Sequence, residues 1–216
     1  MVKFFKRFLD IDDVEEDVEE STERKVHSKQ KALETSIKEG VAADFSAGIG
    51  TNYITPFALA LNASPFQIGI LSSLSGLASP FAQLKGSRMM LRHSRKHLVL
   101  NFVLLQAFIW LPISLLGILL WKGFFQEYLV YMLIVFYTIY AIFMGLATPS
   151  WFSWMGDLVP PEDRGKYFSI RNRAAGVAAI VAVLIGAFIL DALKTRGFVL
   201  LGFSIILALA FTFRLG

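Results

Sequence analysis

The sequence contains no cysteine. That excludes a disulfide scaffold, a thiolate zinc site and a cysteine nucleophile. Histidine is scarce, and its three copies (His27, His93 and His97) all lie outside the apolar runs, so a membrane Ser-His dyad has no base. The HExxH signature and the phosphate-binding glycine loop are also missing. No pair of acids sits within an apolar run, where metal-assisted chemistry would need one. Enzyme activity, a bound metal and a cofactor are therefore not expected. Charge is the other shortage. Only 18% of residues are charged and 55% are hydrophobic, against about 25% and 45–50% in a soluble domain.

The charges that remain are segregated. Up to Asp44 there are 8 Lys/Arg and 12 Asp/Glu; the following 172 residues hold 13 and 5. A pI near 9.3 thus combines an acidic N-terminal segment with a basic remainder. The bases lie in short loops between apolar runs and not on one face, so nucleic acid is not an expected partner. No cleavable signal peptide is expected, because the first apolar cluster, Phe4-Phe5 and Phe8-Leu9, is short and split by Lys6-Arg7. Residues 1–36 read as a cytoplasmic tail. Phe4, Phe8, Ile11 and Val18 would share one side of an interfacial amphipathic helix, while the acidic run from Asp10 to Glu20 suits a disordered tail. Ser36 and Glu39 have capping-box spacing, which predicts the first long helix there.

From Phe45 to Leu84 there are 40 residues without one Asp, Glu, Lys or Arg. A spanning helix needs about 20 residues, so the run holds two spans. They break at Asn62-Ala63-Ser64-Pro65, where Ser64 suits an N-cap and Pro65 the first helical turn. The domain 37–216 is thereby predicted to be an all-α membrane bundle with six transmembrane helices near 40–61, 65–84, 98–121, 128–148, 174–190 and 197–213. Pro149 to Arg173, with its Pro160-Pro161 pair, reads as the loop between the fourth and fifth. With the N-terminus inside, cytoplasmic segments hold fifteen Lys/Arg and outside loops hold three. The positive-inside rule then places both termini in the cytoplasm, in the cell (plasma or inner) membrane.

Two loops carry a family resemblance. Between the second and third spans stand Gly86, Arg95, Lys96 and Leu98. This is similar to the signature loop of the major facilitator superfamily, which has a Gly, an acid four residues on, paired bases, and a Leu twelve residues after the Gly. Met90 replaces the acid and His93 the second Gly. Between the fourth and fifth spans, Asp157, Arg164 and Gly165 resemble the acid-x6-Arg-Gly pattern of the superfamily, whose implied use is a cytoplasmic latch pairing Asp157 with Arg164. The resemblance implies a half bundle built as a 3+3 inverted repeat, transporting a small solute by secondary-active alternating access. Superfamily members usually have two such halves, so a missing C-terminal half or a homodimer partner is implied beside the lipid bilayer and the solute. The alternative is a non-transporting membrane subunit, a degenerate half whose loops bind a partner. The fourth span has no Arg and the fifth no Gly-Pro pair, so proton-driven drug export is not implied.

Candidate site residues come from polar positions inside the spans. Asp44, Gly48, Thr51, Asn52 and Thr55 fall on one stripe of the first span at helical period and should face the bundle interior. Thr51, Asn52 and Thr55 are candidates for the substrate cavity, as are Tyr131 and Thr138 on the fourth span. Asp44, an acid inside an apolar run, is a candidate for ion coupling, or else a snorkelling structural acid near the inner boundary. Asn101 and Gln106 on the third span read as interhelical hydrogen bonds. Ser72, Ser75, Gly76 and Ser79, and in the fifth span Ala175, Ala179, Ala182 and Gly186, read as small-residue packing stripes.

Overall fold

A computed structural model describes residues 31–215, and all of these that form regular structure are helical. Readings that fall on residues 1–30 lie outside the described residues. The chain divides into two compact units, Met1–Lys38 and Glu39–Gly216. In the first, the described residues 31–38 are helical. The second carries the remaining helical structure.

The helices are α1 (31–49), α2 (Ile54–Ala60), α3 (Pro65–Met89), α4 (Arg95–Trp121), α5 (Leu129–Leu158), α6 (Arg164–Lys194) and α7 (Val199–Leu215). Arg95–Trp121, Leu129–Leu158 and Pro161–Lys194 are long and apolar enough to cross a membrane by length and composition, and Val199–Leu215 is a shorter apolar helix. The remaining two expected spans depart from that criterion for visible reasons. The first is split between α1 and α2, and the second is diluted by Ser72, Ser73, Ser75 and Ser79.

The split in the first span lies at Gly50. A 3-10 turn, Thr51–Tyr53, joins α1 to α2. A Cβ at Gly50 would lie 2.7–2.8 Å from the Trp110 ring and Ala210, so the backbone passes where only glycine fits. The turn also lets Pro56 sit in the first turn of α2, where its missing N–H costs nothing. Tyr53 then crosses to α6 and donates its hydroxyl hydrogen to the Val183 carbonyl at 2.5 Å.

At the next break the turn expected from Asn62 to Pro65 forms. Asn62 takes φ 66°, Ser64 accepts from the Gln67 N–H, and the Gln67 side chain accepts from the Ser64 N–H at 2.9 Å. The other helix start differs from expectation. Residues 31–35 are already helical, so Ser36 lies inside a helix and not at its start, and Glu39 pairs its carboxylate with two arginines.

Pro149–Arg173 is a correction. It is not a loop: α5 continues through Pro149 to Leu158, and α6 starts at Arg164. Only 159–163 intervene, including the 3-10 turn Pro161–Asp163. α6 is accordingly 31 residues long, well beyond the fifth span expected over 174–190. Charged residues end an apolar span but do not end a helix, and a long helix carries them out past the membrane.

Packing follows two matching seams. A Cβ on Gly145 of α5 would collide with the Ser79 carbonyl and lie 2.8 Å from the Ala82 methyl of α3. A Cβ on Gly48 of α1 would collide with the Ala179 carbonyl and lie 2.8 Å from the Ala182 methyl of α6. The partners occupy equivalent positions: Gly76, Ala78, Ala82, Leu84 and Gly86 of α3 recur in α6 as Gly176, Ala178, Ala182, Leu184 and Gly186. Ser75, Ala82 and Gly86 are buried in α3, and Ala175, Ala182 and Gly186 in α6. α4 packs on both α5 and α7. The centre is filled by Phe57, Trp110, Leu133 and Ile206, all fully buried. In lipid such seams hold by dispersion between close backbones and not by exclusion of water. α3 and α6 are peripheral, exposing Leu77, Phe81 and Leu84 in one and Val177, Ile180, Leu184 and Phe188 in the other.

Replacing Gly145 with Val should lower stability by about 1–3 kcal/mol, the usual cost of overpacking. Gly165→Ala, with open space around its position, should leave stability within about 0.5 kcal/mol. SDS titration in mixed micelles reads both, and equal stability of the two variants would contradict the seam.

Candidate functional site

A cavity of about 430 Å³ opens between the start of α2, α3 and α5. From the first span come Thr51, Ile54 and Thr55. α3 presents Leu71, Ser72, Ser75, Gly76 and Ser79, an i, i+3/i+4 face. α5 presents Tyr137, Tyr140, Ala141 and Met144, again at helical spacing. The cavity persists because its small residues leave space unfilled: nothing lies within 4 Å of a Cβ on Gly76. Just below, the Gly145 seam draws α3 and α5 together.

The two tyrosines are fixed by neighbours. Their rings stack, with centroids 5.6 Å apart and planes 8° off parallel. Trp110 backs Tyr140 at 4.9 Å. Thr51 lines the same cavity as both phenols and lies close to them. The Ser75 hydroxyl donates to the Leu71 carbonyl at 2.7 Å, which leaves its lone pairs free to accept. The Trp110 indole N–H is buried with no acceptor among the described residues.

The expected cavity residues divide. Thr51 and Thr55 line the cavity. Asn52 is exposed and outside it, because the 3-10 turn at Thr51–Tyr53 interrupts the helical period on which the stripe depended. Tyr131 is 56% exposed, and Thr138 donates to the Ile134 carbonyl of its own helix at 2.7 Å. Both miss the cavity because its α5 face runs through Tyr137 and Tyr140, and Tyr137 is about 100° round the helix from Thr138. The α3 serines, expected as packing, are the lining that sequence reasoning missed. The signal was present: four hydroxyl or glycine positions on one face of an otherwise apolar helix.

Asp44 is half-buried, with no hydrogen bond or ion pair to any described residue. It lies one turn from Gly40, whose Cβ position meets the Arg171 guanidinium at 2.7 Å, and one turn from Gly48, which meets Ala179. The 40, 44, 48 spacing places it on the α6-facing side of α1.

A polar cluster links the helix ends near residue 39. Glu39 of α1 pairs with Arg171 of α6 at 3.4 Å and with Arg214 of α7 at 3.6 Å. Arg214 donates through Nε to Gln106 Oε1 of α4 at 2.7 Å. Arg171 lies 4.5 Å over the Trp151 ring of α5. Gln106, 2% exposed, is thus the interhelical hydrogen bond its position suggested, while the Glu39 cluster was not anticipated.

Asp157 at the end of α5 forms an ion pair with Arg95 at the start of α4. This corrects the expected Asp157–Arg164 latch. Arg164 instead donates to the Gly156 carbonyl at 2.7 Å and to the Val159 carbonyl at 3.3 Å, closing the C-terminus of α5. Lys96 and Gly165 are exposed, and Gly86 is buried against the Leu146 backbone of α5.

The profile described as Major Facilitator Superfamily matches residues 40–215. The chain belongs to the Major Facilitator Superfamily. No curated protein and no solved structure matches it. As a member of the superfamily it is an integral membrane transporter, in keeping with its apolar helices. In this transporter the two loops that carry the resemblance are joined directly by the Arg95–Asp157 pair.

Side-chain exposures of 40% and 67% limit that pair to about 0–1 kcal/mol. Arg95→Glu and Asp157→Arg should each lose about that much, and the double variant should recover most of it. A double-mutant cycle on unfolding measures the coupling. Coupling between 157 and 164 instead would contradict the geometry.

Proposed function

We propose that the chain carries a small solute across the membrane by secondary-active alternating access, with the α2–α3–α5 cavity as its binding site. The observation that carries this reading is a hydroxyl-lined cavity inside an otherwise apolar helical bundle. Polar groups facing hydrocarbon are costly and persist where they serve a site or a neighbour.

The scaffold proposed is six spans with both termini in the cytoplasm, residues 1–36 forming a cytoplasmic tail, in the cell membrane. Its two repeats are α1–α4 and α5–α7. The matching Gly145–Ala82 and Gly48–Ala182 seams support them, since an inverted repeat pairs the second helix with the fourth and the fifth with the first. A second six-helix unit, a C-terminal half or another copy, would close the cavity against the exposed faces of α3 and α6. Asp44, on the α6-facing side of α1, is the proposed coupling residue. The Arg95–Asp157 pair is the cytoplasmic contact that rearrangement would remake. The non-transporting alternative draws on Met90 standing where the superfamily has an acid, and Asp157 supplies an acid to Arg95 in its stead.

The absence of cysteine makes the test direct. In Ser72→Cys the one thiol sits on the cavity face. A membrane-impermeant maleimide should modify it from either side of oriented vesicles. Reaction from one side alone would overturn alternating access. Filling the cavity with Gly76→Phe should cut labelling of that thiol about tenfold or more while leaving the unfolding midpoint in place, because position 76 faces open space.

A further inference from the structure

The chemistry of the cavity narrows what it accepts. Seven of its lining side chains carry hydroxyl groups: Thr51 and Thr55, the three α3 serines, and the two tyrosines. None of the lining residues is charged. Arg214, a neighbouring cation outside the lining, is already engaged by Glu39 and Gln106.

Each of these facts excludes a class. A charged solute finds no counter-charge among the lining residues, so whatever part of its hydration it gives up there is not repaid by an ion pair. A purely apolar solute would return no hydrogen bonds to the hydroxyls it covers, and sites built to bond hydroxyls discriminate strongly against analogues that lack them. Hydroxyls both donate and accept, so their natural complement is a solute whose own groups do the same. The remaining surface is apolar: Ile54, Leu71, Ala141, Met144 and the stacked tyrosine rings. A solute with one edge of hydroxyls and one face of C–H groups matches both kinds of wall.

We infer that the solute is an uncharged polyhydroxylated molecule, a sugar or polyol, held between the α3 serines and the Tyr137–Tyr140 pair. The inference rests on the cavity being the transport site, and the two claims fail separately. Tyr137 and Ser79 are assigned to hydrogen-bond the solute. Stacking on each other and on Trp110 holds the two phenols in place.

The test uses the purified 216-residue protein in nanodiscs and equilibrium binding of matched sets. Each set is a neutral hexose or hexitol, the corresponding uronate and the corresponding amino sugar, identical in skeleton and differing by one charge. Neutral members should bind, and both charged members should bind about tenfold or more weakly. Tyr137→Phe and Ser79→Ala should each weaken the neutral solute about fivefold, as loss of one hydrogen bond does. Gly76→Phe should abolish binding with its melting temperature unchanged. The inference is overturned if a charged member binds as tightly as its neutral partner, if no neutral sugar or polyol binds to protein with an intact melting transition, or if binding survives Gly76→Phe. Vesicle counterflow separates the two claims: a neutral sugar that binds but never crosses sinks the transport reading and leaves the solute class standing.

Discussion

Hydrocarbon offers no hydrogen bonds, so a polar group in these helices is costly unless the protein itself answers it. The constraint explains features that otherwise look unrelated. Thr138 and Ser75 turn their hydroxyls onto carbonyls of their own helices. The break at Gly50 is tolerated because Trp110 and Ala210 cover it on one side and Tyr53 ties it to α6 on another. Arg214, 15% exposed, meets both a carboxylate and an amide. Thr55, Ser72 and Ser79 instead line the cavity between α2, α3 and α5.

Much of the architecture was legible in the sequence, because the costs that shape it are large and local. A charge-free run of 40 residues was read as two apolar helical segments, and Ser64-Pro65 marks their junction by a cap and a missing donor. The ends of the helices were less legible. Pro149 and the bases from Arg164 to Arg173 look like loop residues when hydropathy is the guide. Yet a helix ends where its hydrogen bonds end, and here that is just before Pro160, with Arg164 satisfying the last carbonyls of α5.

The candidate site was half legible for a geometrical reason. Thr51 and Thr55 were found because they are polar in an apolar run. Asn52 was grouped with them because a regular period was carried through a turn that is not α-helical. Tyr137 and Tyr140 were passed over because tyrosines in apolar helices are usually packing. Only the position of α3 across from them makes a cavity wall of that face. Arg95 and Asp157 were each noted in separate loops, and their pairing required the third dimension.

The matched faces of α3 and α6 have not stayed alike in chemistry. Where α3 carries Ser75 and Ser79, α6 carries Ala175 and Ala179. One copy of the same interhelical joint keeps hydroxyls, and the other is stripped to bare methyls. A fold that duplicates its joint can divide the labour: side-chain changes at Ser75 or Ser79 alter the cavity wall and leave the packing of α1 against α6 as it is. If the cavity is the proposed site, the bearing is insulated from the lock, and its specificity is free to change without the mechanics being reinvented.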